Sequence, residues 1–155
     1  MNISDALRET CVIVDLKGGT KEEVLTELVA ALKEMGLIES AEEAVKVILD
    51  REKLGSTGIG DGVAIPHGKM KKLQNVLCAF GKSAKGIDFG AIDGQPVHIF
   101  FLLLAPEEST GLHLKMLSRI SRIVRDASFR KKLMEGKDVG QVYRDIVEED
   151  RKFSG

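Results

Sequence analysis

The sequence predicts one α/β domain built as a three-layer sandwich, with a mixed central sheet and helices on both faces. Three observations predict it. Strand-length apolar runs are interspersed with stretches whose apolar residues recur at helical spacing. One run, PVHIFFLLLA (96–105), is apolar on both faces, as a central strand covered on both sides must be. The chain has 155 residues, 43% hydrophobic and 30% charged, which suits one full core, and no low-complexity linker or internal repeat divides it.

Taken in order, CVIVDL (11–16) reads as the first strand. Thr20-Lys-Glu-Glu23 has the form of a capping box, and Leu25, Leu28, Val29 and Leu32 follow at helical spacing to a stop at Gly36. Ser40-Ala-Glu-Glu43 is a second box, opening a helix with Ala44, Val47 and Ile48 on one stripe and a stop at Gly55. A glycine-rich loop comes next. VAIPH (63–67) is expected as a short edge strand, because Pro66 cannot donate to a ladder. NVLCAFG (75–81) and residues 96–105 are strands, with loop and turn around Ile87-Asp88-Phe89 and Asp93-Gly94. A long helix is expected from Ser109 or Thr110 to about Asp126, and a short one over 129–133. A last helix follows Asp138, with Val139, Val142, Tyr143 and Ile146 inward.

Composition excludes several classes. A net charge of −1 gives no argument for nucleic acid or an anionic membrane, and Lys69, Lys71 and Lys72 read as a solvated turn. Cys11 and Cys78 lie inside apolar runs and read as buried thiols in a reducing compartment. The N-terminus lacks a basic-then-apolar signal pattern, and the longest apolar run, 99–105, is far too short to span a bilayer. A cytoplasmic protein without membrane insertion is expected.

Three polar residues stand where apolar ones belong. Arg51 completes the stripe of Ala44, Val47 and Ile48, so it is expected on the buried face, four residues before the glycine loop. Taken alone, it reads better as an arginine snorkelling off a helix end. Extending the stripe of Met116, Leu117, Ile120, Ile123 and Val124 backward lands on His113, in a first helical turn that favours anions. A lone histidine on an apolar face is more often a core residue than a functional one. His67 ends the run GSTGIGDGVAIPHG (55–68), whose glycines permit close backbone approach and an anion-binding nest. A neutral imidazole is a good nucleophile near pH 7.

Other readings of the loop fit less well. No Lys-Ser/Thr pair follows Gly62, as a Walker loop requires, and Gly58-Ile-Gly60 lacks the third glycine of a dinucleotide fingerprint. The three histidines, 67, 98 and 113, form no close metal-ligand cluster in sequence, and His98 reads as structural or incidental. A serine hydrolase using Ser56, Ser83 or Ser109 lacks a G-x-S-x-G elbow.

The run REKLGSTGIGDGVAIPHGK (51–69) resembles the phosphorylation-site segment of enzyme IIA domains of the bacterial phosphotransferase system, in the fructose/mannitol/nitrogen-regulatory class. GIDFGAIDGQPVHIFFLLLAPEE (86–108) and HLKMLSRISRIVRD (113–126) are similar to that family too, so the likeness spans residues 1–155 as one type 2 IIA domain. The resemblance implies that His67 takes a phosphoryl group from the histidine phosphocarrier protein and passes it to a cysteine of a IIB domain, or uses it to switch binding to a regulatory protein. It implies Nε2 as the phosphorylated atom. His113 and Arg51 match the family's second histidine and site arginine, which support the group. Backbone N–H groups of Ser56, Thr57, Gly58 and Gly60 are expected to add to that support. No metal and no cofactor is called for. The absence of an attached IIB or membrane domain favours the nitrogen-regulatory branch as an expectation. A sugar-specific fructose or mannitol IIA subunit and an interaction-only module are the alternatives.

Overall fold

A computed structural model describes residues 1–153. A 3₁₀ turn, Ile3–Asp5, leads into β1 (Leu7–Ile13), followed by α1 (Lys21–Glu34) and α2 (Ala41–Glu52). Three short strands come next, β2 (Gly58–Gly60), β3 (Val63–Ala64) and β4 (His67–Met70). The long strands β5 (Leu77–Ile87) and β6 (Val97–Pro106) precede α3 (Thr110–Ile123), α4 (Ala127–Glu135) and α5 (Val139–Arg151). The sheet order is β1-β5-β6-β3-β2, and β4 also pairs with β6. β5 and β6 are antiparallel, whereas β1 runs parallel to β5, and β3 and β4 run parallel to β6. The expected mixed sheet between two helical layers is therefore present.

Alternation along the strands shows the two layers. On β5, a Cβ at Gly81 would lie 2.8 Å from Leu28 of α1, while the next residue, Lys82, sends Nζ to the carbonyls of Leu133 and Met134 at the end of α4. Nζ also donates to Gly136 O. The core fills both sides of β6, from Val97 to Ala105, with only His98 left partly exposed. Phe80 meets Phe101 across the β5–β6 pair, and Phe100 meets Phe89, each edge to face. Cys11 and Cys78 are buried free thiols in the core.

Both expected capping residues hold their helices: Thr20 Oγ1 accepts from Glu23 N and Ser40 Oγ from Glu43 N. Glu23 sends its carboxylate to Gly19 N rather than closing the first box.

The first strand lies earlier than expected. β1 takes in Leu7 and the exposed Arg8, Glu9 and Thr10, at a sheet edge with a register shift, so its polar outer residues conceal it. β5 runs six residues past Gly81 because Lys82 is buried by its bonds to α4 rather than by apolarity. α4 begins at Ala127, where Asp126 accepts from Ser128 N and Phe129 N. α3 ends at Ile123, short of Asp126. The segment 63–67 is two strand pieces split at Ile65-Pro66, and the glycine loop before it forms β2, antiparallel to β3. On that side the outermost strand is thus β2, made largely of residues whose glycines read as loop.

Candidate functional site

The break between β3 and β4 sets the site. Leu103 N donates to Pro66 O at 2.8 Å, and pairing with β6 resumes at His67, opposite Leu103. From there the side chains alternate. Gly68 faces α2, where a Cβ would lie 2.5 Å from Val47 Cγ1. This close approach is why glycine follows His67. His67 and Lys69 point to the other side, toward α3. The His67 and His113 rings meet edge to face, with centroids 5.2 Å apart and planes at 83°. Lys69 Nζ donates to Thr110 Oγ1 in the first turn of α3 at 2.8 Å.

His67 Nδ1 lies 2.7 Å from Ile65 O. A carbonyl only accepts, so Nδ1 carries the hydrogen and Nε2 the lone pair. Burial lowers the His67 pKa from 6.5; the Arg51 charge acts in the same direction, against the Ile65 bond and the Glu52 carboxylate. The ring is neutral at pH 7.

His113 is 5% exposed and faces inward, as its place on the α3 stripe predicts. Burial, then the charges of His67 and Lys69, push its pKa to about 4. Among the described residues, neither of its ring nitrogens has a hydrogen-bond partner. A buried core histidine normally satisfies both nitrogens or surrenders one to solvent. This one does neither.

Arg51, in the last turn of α2, is half-buried, and its Nη1 donates to Gly55 O at 2.9 Å. The buried residue at this helix end is its neighbour Glu52, which the sequence reading missed. The signal was available, since Ala44, Ile48 and Glu52 fall at spacing four and all are buried. Glu52 accepts from Thr57 N (Oε1 at 3.0 Å) and from the Thr57 hydroxyl, and its Oε2 is 2.8 Å from Lys21 Nζ. Lys21 in turn lies 4.3 Å above the Phe89 ring.

The other loop groups are also engaged. Ser56 Oγ donates to Phe89 O and accepts from Gly58 N. Gly58 pairs with Ala64, and Gly60, at φ +97, pairs with Val63. The Thr57 and Gly58 N–H groups therefore have partners within the chain. Among the described residues no group of three or more His, Cys, Asp or Glu is placed to hold a metal ion, and no helix is long and apolar enough to cross a membrane. His98 stands apart, with Nδ1 2.8 Å from Ser83 O.

The family model described as "Phosphoenolpyruvate-dependent sugar phosphotransferase system, EIIA 2" matches residues 5–149. The chain belongs to that family. This IIA protein is 44% identical over 144 residues to a nitrogen regulatory protein of Bradyrhizobium diazoefficiens, covering 92% of this chain and 93% of that one. It is 34% identical over 151 residues to the fructose-specific EIIABC component of Bacillus subtilis, but spans only 24% of that longer protein. The crystal structure of the nitrogen regulatory protein IIA-Ntr from Neisseria meningitidis superposes with a TM-score of 0.87 at 34% identity, covering 93% of this chain and 98% of the other. The IIA domain is thus a phosphotransfer component of the phosphotransferase system, with both nitrogen-regulatory and sugar-specific proteins among its relatives.

Proposed function

We propose that His67 is the phosphoryl carrier of this IIA protein, charged by the histidine phosphocarrier protein. The Nε2 lone pair forms a new N–P bond as the donor's P–N bond breaks, and the donor imidazole leaves with the electron pair. The Nδ1–H stays on Ile65 O throughout. For onward transfer, a thiolate of a IIB cysteine forms an S–P bond while the N–P electron pair returns to Nε2.

The observation that carries this reading is the contact of a neutral, tautomer-fixed His67 with a buried His113 whose nitrogens have no partner among the described residues. A phosphoryl oxygen seated beside His113 would give it one. The added negative charge would also raise the His113 pKa, so that imidazolium becomes a better donor as phosphate arrives. Arg51 supplies the fixed positive charge, and a guanidinium can take two phosphoryl oxygens at once. The Thr57 and Gly58 N–H groups contribute to phosphate binding only by exchanging the partners they now hold.

Exposed apolar side chains suit protein partners around this site. Leu112 and Leu114 flank His113, Ile59 and Ile92 border the glycine loop, and Leu54 follows the end of α2. The nitrogen-regulatory role is favoured, because the likeness to the Bradyrhizobium protein covers nearly all of both chains. A sugar-specific subunit and an interaction-only module are the alternatives. The protein acts in the cytoplasm, where phosphoenolpyruvate is available.

The test supplies phosphoenolpyruvate and the carrier chain and reads acid-labile phosphate. Labelling must vanish in His67→Ala; equal labelling of that variant would sink the assignment. Transfer from labelled protein to IIB domains separates a carrier from an interaction module.

A further inference from the structure

We infer that Glu52 is a positioning residue for His67, acting through Thr57 and Ile65; this rests on the phosphocarrier reading. The path is continuous. Glu52 holds Thr57 N and the Thr57 hydroxyl, Thr57 O accepts from Ile65 N at 3.0 Å, and Ile65 O accepts from His67 Nδ1 at 2.7 Å. Thr57 is therefore held at both of its backbone groups, by a carboxylate on its N–H and by Ile65 on its carbonyl. The last bond selects the imidazole tautomer that leaves Nε2 nucleophilic.

The residue type is specified by its partners. All three groups on Glu52, Lys21 Nζ, Thr57 N–H and Thr57 O–H, are donors. A carboxylate has two accepting oxygens and can serve all three, whereas an amide has one and would turn its own N–H₂ against a donor. Lys21 offsets the charge, so the buried carboxylate is not left unpaired. The strand break places Ile65 between β3 and β4, outside the β6 ladder, so its position depends on Thr57.

The experiment compares wild type with Glu52→Gln and Glu52→Asp. The aspartate keeps the charge but is one methylene too short to serve both Lys21 and Thr57. ¹⁵N NMR of the His67 ring reads the tautomer, and phosphorylation by the carrier chain reads the rate. Expected are a single Nδ1–H tautomer in wild type, a mixture in the variants, and labelling slowed by about 10- to 100-fold, the scale of a small displacement of a reacting group. Ile146→Ala, a distant core change, controls for lost stability and must leave the tautomer unchanged. If Glu52→Gln does not fold, Glu52→Asp decides alone. A wild-type tautomer in the Glu52 variants, or a mixed tautomer with an unchanged rate, overturns the inference. Failure of wild type itself to be labelled would defeat the phosphocarrier reading instead, and the tautomer measurement would still decide whether Glu52 positions His67.

Discussion

Replacing His113 by leucine should stabilise the protein while disabling it. The wild-type ring is 5% exposed, with two nitrogens that no described residue satisfies. Leaving a polar group buried and unpaired costs about 1–3 kcal/mol. Leucine removes that cost but gives up the edge-on contact with His67, worth about 0.5–1.5 kcal/mol. The net gain is then about 1 kcal/mol at pH 7.5. Acidity widens the gap. The unfolded chain binds a proton on His113 near the ordinary 6.5, whereas the folded chain resists until about 4. Between those values the unfolded state holds more protons, so wild-type stability falls as pH drops and levels off below about 4. At pH 5 this linkage amounts to about 2 kcal/mol, so His113→Leu should lead wild type by about 3 kcal/mol there. The lowered pKa of His67 acts with the same sign in both proteins and leaves the difference intact. Urea unfolding from pH 4.5 to 7.5 measures the two curves, and phosphorylation rates should fall by about 10²-fold or more. A variant that is less stable than wild type, with a difference that does not change with pH, would refute the reasoning and return His113 to the core.

Gly68→Ala should cost about 1–3 kcal/mol, because its Cβ would lie 2.5 Å from Val47 Cγ1; Val47→Ala in the same chain should recover most of the loss in urea titrations. Lys82→Met should lower stability by about 1–3 kcal/mol by stripping the carbonyls of Leu133, Met134 and Gly136 of their donor, with faster amide exchange at the end of α4. Arg51→Ala should slow labelling by about 10-fold or more yet barely move the urea midpoint, since its one described bond, to Gly55 O, is to a solvent-exposed loop. A large drop in stability would instead make Arg51 a structural residue.

Much of this fold is written in apolar periodicity, and the exceptions share a cause. The stripes of α1, α3 and α5 and the run 96–105 were legible because burial there is carried by side chains that repeat. β2 was not, since glycines at 58 and 60 offer no pattern and the strand exists by pairing with Val63 and Ala64. Lys82 and Asp150 are buried charged residues whose burial depends on partners far away in sequence. Asp150, for example, binds Ile3 N and Arg119, tying the first residues to two helices. In the site, His67 and His113 were legible as polar intruders, and the structure brings them into contact. Arg51 was placed on the buried face, but α2 turns Glu52 there and leaves Arg51 half-buried at the rim.

The two faces of β4 impose a parity on everything around His67. Odd positions, 67 and 69, belong to α3, and even position 68 belongs to α2. One residue inserted between Pro66 and His67 would not merely shift the histidine along the strand. It would send the imidazole into Val47 and leave the inserted side chain opposite His113. Loops elsewhere in this chain can change length without reversing any side chain. The distance from Pro66 to His67 cannot, so the reactive ring is assigned its side by a count of residues as well as by its chemistry.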